Sequence, residues 1–246
     1  ELGVDVGDIL ATDLVLCPRQ APVRIGPEGE FFQAPRIDDL GCAYATLEGF
    51  LSAKGTERFG QLYCLFDNEE VGSGTRQGAM SSFLPDVLTR IGEALGLSAQ
   101  ARRQALAGSL LLSADNGHAV HPNFPEKADP ANRVYPNGGV VIKYSANQKY
   151  TTDAVSDAIF SEICAKAGVP VQHFANRSDI PGGSTLGNLS NAHVSMNTVD
   201  IGLAQLAMHA SYETAGCADV DYMIRALRQF YKTDIITSAD GEYQLV

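Results

Sequence analysis

The chain has 246 residues, and 18 Lys+Arg against 29 Asp+Glu leave a net charge of −11, the wrong sign for binding nucleic acid by counterion release or for anchoring on an anionic membrane. With 45% hydrophobic and 19% charged residues the composition is globular, and no apolar run approaches the roughly 20 residues a membrane-spanning helix needs. Five cysteines, dispersed and without a C-x-x-C pair, speak against a disulfide framework or a thiolate zinc site and fit a reducing, cytoplasmic compartment.

The length fits one large domain, or one domain with part of another. The opening Glu1-Leu2-Gly3-Val4 has no initiator Met and no signal-peptide pattern, and it reads as the start of a fragment. Residues 1–35 carry short β-like runs, Ile9–Val15 and Val23–Ile25, separated by Pro and Gly. From Asp38, with Asp38 or Asp39 as N-cap, the spacing of Leu40, Tyr44, Leu47 and Leu51 predicts a helix that buries this face and ends at Gly55. Strand candidates and helices then alternate: strand Leu62–Phe66, helix Ala79–Leu95, strands Ser109–Ala114 and Gly139–Tyr144, helix Asp153–Ala167, strands Val169–Phe174 and Val194–Val199, helix Asp219–Tyr231. The tail from Lys232 is open between a strand and an unstructured end. This order of apolar strands and helices predicts an α/β protein, a three-layer α/β/α sandwich around a mostly parallel sheet.

In such sheets the binding crevice lies beyond the carboxyl ends of the strands, which directs attention to Asp67-Asn68-Glu69-Glu70, to Asp115, and to Lys143. Adjacent carboxylates after a buried strand, Glu69 and Glu70, are costly without a cation, and with one present, one carboxylate can ligate while its neighbour holds a water as general base; an exposed acidic turn is the bland alternative. Asp115 heads Asp115-Asn116-Gly117-His118-Ala119-Val120-His121-Pro122, where turn chemistry explains Asp-Asn-Gly equally well. His209 lies in an apolar stretch, where packing competes with ligation. Together Asp38, Glu70, Asp115 and His209 form a carboxylate and imidazole set without thiolate, suited to Zn²⁺, with Mn²⁺ or Co²⁺ as substitutes. Only a fold can bring such widely separated residues together. The Gly72–Gly78 stretch lacks the P-loop Gly-Lys-Ser/Thr, and Gly182-Gly183-Ser184-Thr185 lacks the register of a nucleophile elbow.

Six stretches resemble the aspartyl aminopeptidase family of dinuclear zinc metallopeptidases, in that family's order: Ala34–Leu40, Asp67–Ser73, Ser113–Asn123, Gly138–Lys143, Gly183–Gly187 and Val199–His209. The resemblance implies two divalent metal ions, with Asp38 bridging, Glu70 and His209 on one ion, Asp115 on the other and Glu69 as general base. It implies a substrate pocket that includes Lys143, with His118 and Tyr150 as further candidates, and release of N-terminal residues, acidic ones above all, from peptides by a metal-activated water. It also implies that residues 1–33 are the remnant of a β-rich dimerisation domain, and that residues 34–246 are the catalytic domain without its N-terminal segment. That segment carries an H-x-D motif with a further ligand, so one site is incomplete here and the isolated chain is expected to be inactive. The family assembles into dodecamers. Departures from its pattern are Asp39 for the usual Asn, Asn116-Gly117 for Met-Ala, Gly182 for Cys and Ala210 for Ser, which point to a bacterial branch. A related di-metal carboxypeptidase or deacylase, and a noncatalytic binding or assembly module, are the alternatives.

Overall fold

The computed structural model describes residues 3–56, 58–239 and 241–246. Two sheets and a hairpin carry the strands. A four-stranded sheet runs in the order β3 (Leu110–Ala114), β7 (Asn197–Gly202), β5 (Val140–Tyr144), β6 (Val171–Ala175), with β3–β7 and β5–β6 parallel and β5–β7 antiparallel. A five-stranded sheet runs β1 (Val23–Ile25), β2 (Phe31–Ala34), β9 (Glu213–Gly216), β8 (Ala204–Leu206), β4 (Gly117–His118), antiparallel except for β4–β8. The mostly parallel sheet expected from the βα alternation is the first of these. The second, built from strands of two to four residues, is too short in sequence to show a period. β2 crosses the expected boundary at residues 33/34 and pairs with β9, so N-terminal and C-terminal segments share one sheet.

Alternation along the central strands sorts the side chains into two faces. Val140 and Ile142 of β5 and Val199 and Ile201 of β7 pack against α1 (Ile37–Ser52), α4 (Ala154–Ala167) and α6 (Cys217–Phe230) through Cys42, Ala45, Phe160, Cys164, Met223, Ala226 and Leu227. Full burial of each large aliphatic side chain in this layer is worth about 1.5–3 kcal/mol. On the opposite face Val141 packs with Val134, Tyr150 and Phe174, and α5 (Leu186–Ser190) sits over β3, its Gly187 N–H donating to Ser113 Oγ at 2.9 Å. Helices therefore cover both faces of the central sheet.

Local chemistry sets several boundaries. Asp153 caps α4 by accepting from Val155 N at 3.0 Å and Ser156 N at 2.8 Å, with Ser156 Oγ returning the contact, and Gly168 closes the helix at φ 63°. In α6, buried Asp219 accepts from Asn137 N at 2.6 Å and Gly139 N at 2.9 Å, which fixes the turn leading into β5. The tail forms a hairpin of β10 (Ile235–Ala239) and β11 (Glu242–Leu245).

Four expectations need correction. Ile9–Val15 belongs to no ladder among the described residues, and Leu10, Leu14 and Val15 stand exposed; an apolar run becomes a strand only where an edge is offered to it. Leu62–Phe66 also forms no ladder. It crosses α1 and α6 as an extended tether, with Tyr63 OH donating to Ala43 O at 3.0 Å and Tyr231 OH to Leu62 O at 3.3 Å. In α1 the expected apolar face points outward: Leu40, Tyr44 and Leu51 are exposed, and Cys42, Ala45, Thr46 and Gly49 are buried. The cause is a close crossing of α1 and α6, since a Cβ added to Gly49 would lie 2.4 Å from Leu227 Cβ. Finally, neither Asp38 nor Asp39 is the N-cap of α1; Arg36 holds that position, and the two aspartates depart from helical geometry inside the first turn. Smaller differences are α2 (Phe83–Ala94) starting later than Ala79, an additional α3 (Ala99–Ala107) capped by Ser98, and β7 displaced towards Gly202.

Candidate metal centre

Four separate segments deliver the candidate ligands to one place. Asp38 and Asp39 come from the distorted start of α1. Glu69 and Glu70 come from a turn-rich loop closed by Asp67 N donating to Gln77 O at 3.1 Å and Gly72 N to Glu69 O at 3.0 Å, rather than from a strand end. Asp115 follows β3, where its N–H donates to Ile201 O at 2.9 Å. Only glycine fits opposite it, because a Cβ on Gly202 would lie 2.0 Å from Asp115 O. His209 sits in the turn between β8 and β9, at φ 65°.

His209 Nε2 lies 2.7 Å from Glu70 Oε2 and 3.2 Å from Asp38 Oδ2. Asp38, Glu70 and His209 can each offer a ligand atom within 4.8 Å of the others, and so can Asp38, Asp39 and Asp115. Asp38 belongs to both groups. Its Oδ1, and Oδ1 of Asp39, are buried and have no hydrogen-bond partner among the described residues, and unpartnered buried carboxylate oxygens are costly. Burial is the first cause that pushes the Asp38 carboxyl up to about 8, followed by repulsion from Asp115, Glu70 and Glu213, with Lys143 opposing. Asp39 is raised well above the usual carboxylate range, again by burial first and then by Asp115 and Asp38. Cations at the two groups would relieve both costs, so the donor set fits divalent metal ions.

Glu69 lies beside these groups without joining either. Half-buried, its carboxyl is pushed up to about 7 by desolvation and then by Asp115 and Glu70, while Lys143 and His209 pull it down. That is the range in which a carboxylate exchanges protons near neutral pH.

Lys143 is buried. Its Nζ lies 3.1 Å from Asp115 Oδ2, donates to Asn116 O at 3.1 Å, and stands 5.2 Å above the Tyr150 ring. Burial opposes the charge, but Asp115, Asp200 and Tyr150 keep the ammonium protonated far above neutrality. The structure thus brings Lys143 and Tyr150 together, and Tyr150 OH accepts from Asn176 Nδ2 at 3.2 Å. His118 stands exposed on β4, within electrostatic reach of His209, Lys143 and Asp115. His121 is a turn residue, its Nδ1 accepting from Asn123 N at 3.1 Å.

Two residues of the cluster carry little sign of that role in the sequence. Asp39 reads as a helix cap or as a departure from the family's Asn, and its place beside Asp38 is the available signal. Asn116 is a buried connector, with Nδ2 donating to Ile37 O at 2.9 Å and Gln205 Oε1 at 2.7 Å, and Oδ1 accepting from Leu203 N at 3.3 Å; nothing in a turn-like Asp-Asn-Gly announces that.

Residues 1–231 match the model of the aminopeptidase I zinc metalloproteases (M18). The chain belongs to this family. It is 45% identical over 231 residues to a probable M18 family aminopeptidase 2 of Clostridium acetobutylicum, covering 94% of this chain and 53% of that protein. It is 38% identical over 253 residues to an aspartyl aminopeptidase of Dictyostelium discoideum, covering 97% of this chain and 52% of that one. Among solved structures, the mApe1 dodecamer of S. cerevisiae matches with a TM-score of 0.76 at 30% identity, covering 87% of this chain and 49% of that chain. The chain spans about half the length of the curated relatives it matches. Among the described residues no helix is long and apolar enough to cross a membrane.

Proposed function

We propose that the protein containing this chain is a metal-dependent aminopeptidase that removes N-terminal residues, acidic ones preferentially, from peptides. The observation that carries this reading is the sharing of Asp38 by two ligand groups, with Oδ1 of Asp38 and Oδ1 of Asp39 buried and, among the described residues, without a hydrogen-bond partner. Membership of a zinc metalloprotease family and likeness to a protein named aspartyl aminopeptidase support it. Asp38, Glu70 and His209 would hold one ion, and Asp38 with Asp115, joined by Asp39, a second, weaker one. Zn²⁺ suits this mixture of carboxylates and imidazole, with Mn²⁺ or Co²⁺ able to substitute. When bound, such ions would polarise the first peptide carbonyl and lower the pKa of a water.

The chain's own residues do the rest. Glu69, half-buried beside the ligand groups, takes a proton from the attacking water and returns it to the leaving nitrogen. Lys143, buried against Asp115 and the Tyr150 ring, and His118, exposed on β4, would line the pocket for an acidic side chain in a strongly acidic protein. The whole protein is a homo-oligomer, a reading supported by the likeness to a dodecamer.

The test is a peptide set with free and acetylated N-termini, offered to the Zn²⁺-loaded full-length protein. Cleavage restricted to free N-termini, fastest after Asp or Glu, is expected. Cleavage at C-termini, or no hydrolysis by protein that holds metal, refutes the proposal.

A further inference from the structure

We propose that Glu213 is a positioning residue that sets Asp38 and His209 for metal binding by holding both from their backbones, a role that presupposes the metal site proposed above. Glu213 opens β9 and is 2% exposed. Its Oε2 accepts the Asp38 N–H at 2.9 Å and its Oε1 accepts the His209 N–H at 2.7 Å. One carboxylate therefore ties together the two residues whose side chains meet at 3.2 Å.

Both backbones need holding. Asp38 sits at φ −87°, ψ 111° within the first turn of α1, where the helix's own hydrogen bonds do not restrain it. His209 is at φ 65°, a left-handed conformation that non-glycine residues adopt rarely and keep only when their surroundings enforce it. The enforcing contact is the hydrogen bond that the His209 N–H donates to the Glu213 carboxylate. Its placement also runs against electrostatic economy, since Glu213 adds negative charge beside a carboxyl that already faces Asp115 and Glu70. A glutamine would avoid that repulsion, but its amide has only one acceptor oxygen and would turn an NH₂ group towards the other N–H. Two oxygens for two amides require a carboxylate. Partners outside the ligand shell that orient metal ligands are worth roughly 10–100-fold in metal affinity.

The experiment compares Glu213→Gln and Glu213→Asp with wild type in the full-length protein. Three readouts are used: Zn²⁺ affinity by chelator competition, the visible spectrum of the Co²⁺ form, and amide exchange at Asp38 and His209 in metal-free protein. Asp219→Asn, which weakens another buried carboxylate clamp on backbone amides outside the cluster, controls for lost stability. Both Glu213 variants should bind Zn²⁺ roughly 10–100-fold more weakly, with an altered Co²⁺ spectrum and faster exchange at one or both amides. The control should keep wild-type affinity and spectrum. Wild-type affinity and spectrum in either Glu213 variant, or an equal loss in Asp219→Asn, would overturn the role of Glu213. Wild-type full-length protein that takes up no Zn²⁺ would instead overturn the metal-site proposal itself.

Discussion

Replacing Lys143 by methionine isolates the electrostatics of the centre, because methionine keeps much of the volume and removes only the ammonium. In the structure that ammonium is 2% exposed and 3.1 Å from Asp115, whose side chain is 13% exposed. At this separation an effective dielectric of about 20 gives an attraction of about 5 kcal/mol. Desolvation offsets part of it in the intact pair, but methionine would leave a buried carboxylate facing Asp38 and Asp39 with no cation, and breaking one side of such a pair costs about 3–5 kcal/mol. Urea unfolding of chelator-treated K143M should show a loss of that size. In an Asp115→Asn background the same substitution should cost less by at least about 2 kcal/mol, because no stranded charge remains. Added Zn²⁺ should narrow the K143M deficit by supplying positive charge to Asp115. A loss below about 1 kcal/mol, or the same loss with and without Asp115, would refute the pairing. An identical deficit with and without metal would argue against Asp115 as a ligand.

Glu69→Gln in the full-length protein should keep its metal on elemental analysis and lose most of kcat, whereas Glu70→Gln should lose metal; the reverse pattern would exchange their roles. Gly49→Ala should destabilise by about 1–3 kcal/mol although alanine is the better helix former, because its Cβ would overlap Leu227; a stabilised variant in thermal melts would disprove the tight α1–α6 crossing. Burial pushes the Asp219 carboxyl up to about 6, against the pull of the Gly139 and Asn137 amides. A folded pKa above the unfolded value favours folding below pH about 4 and loses that contribution as pH rises through about 6. Wild type should therefore lose stability between those values relative to Asp219→Asn, and parallel pH profiles would show that Asp219 does not titrate there.

Much of this architecture is legible in the chain itself. The strands β3, β5 and β6 and the helices α4 and α6 announce themselves because each is a local pattern: a short apolar run, a capping Asp153, a closing Gly168. Asp38, Glu70, Asp115 and His209 stand out as candidates through motif order and the family resemblance, and Asp38 is grouped with Glu70 and His209 on one side and with Asp115 on the other. What depends on contacts between distant segments is not. Leu62–Phe66 has strand composition but pairs with no strand among the described residues, and the direction α1 faces is decided by how closely α6 approaches Gly49. The same holds within the centre. Asp39 looks like a helix cap, Asn116 like a turn residue and Glu213 like an ordinary strand-end acid, and only folding places them on Asp115, Ile37, Asp38 and His209. Sequence specifies which groups are available to bind a cation, because charge and ligand type belong to single residues. Distance, burial and the sharing of Asp38 between two groups belong to pairs brought together by the fold, and these turn a scatter of acids into a candidate metal centre.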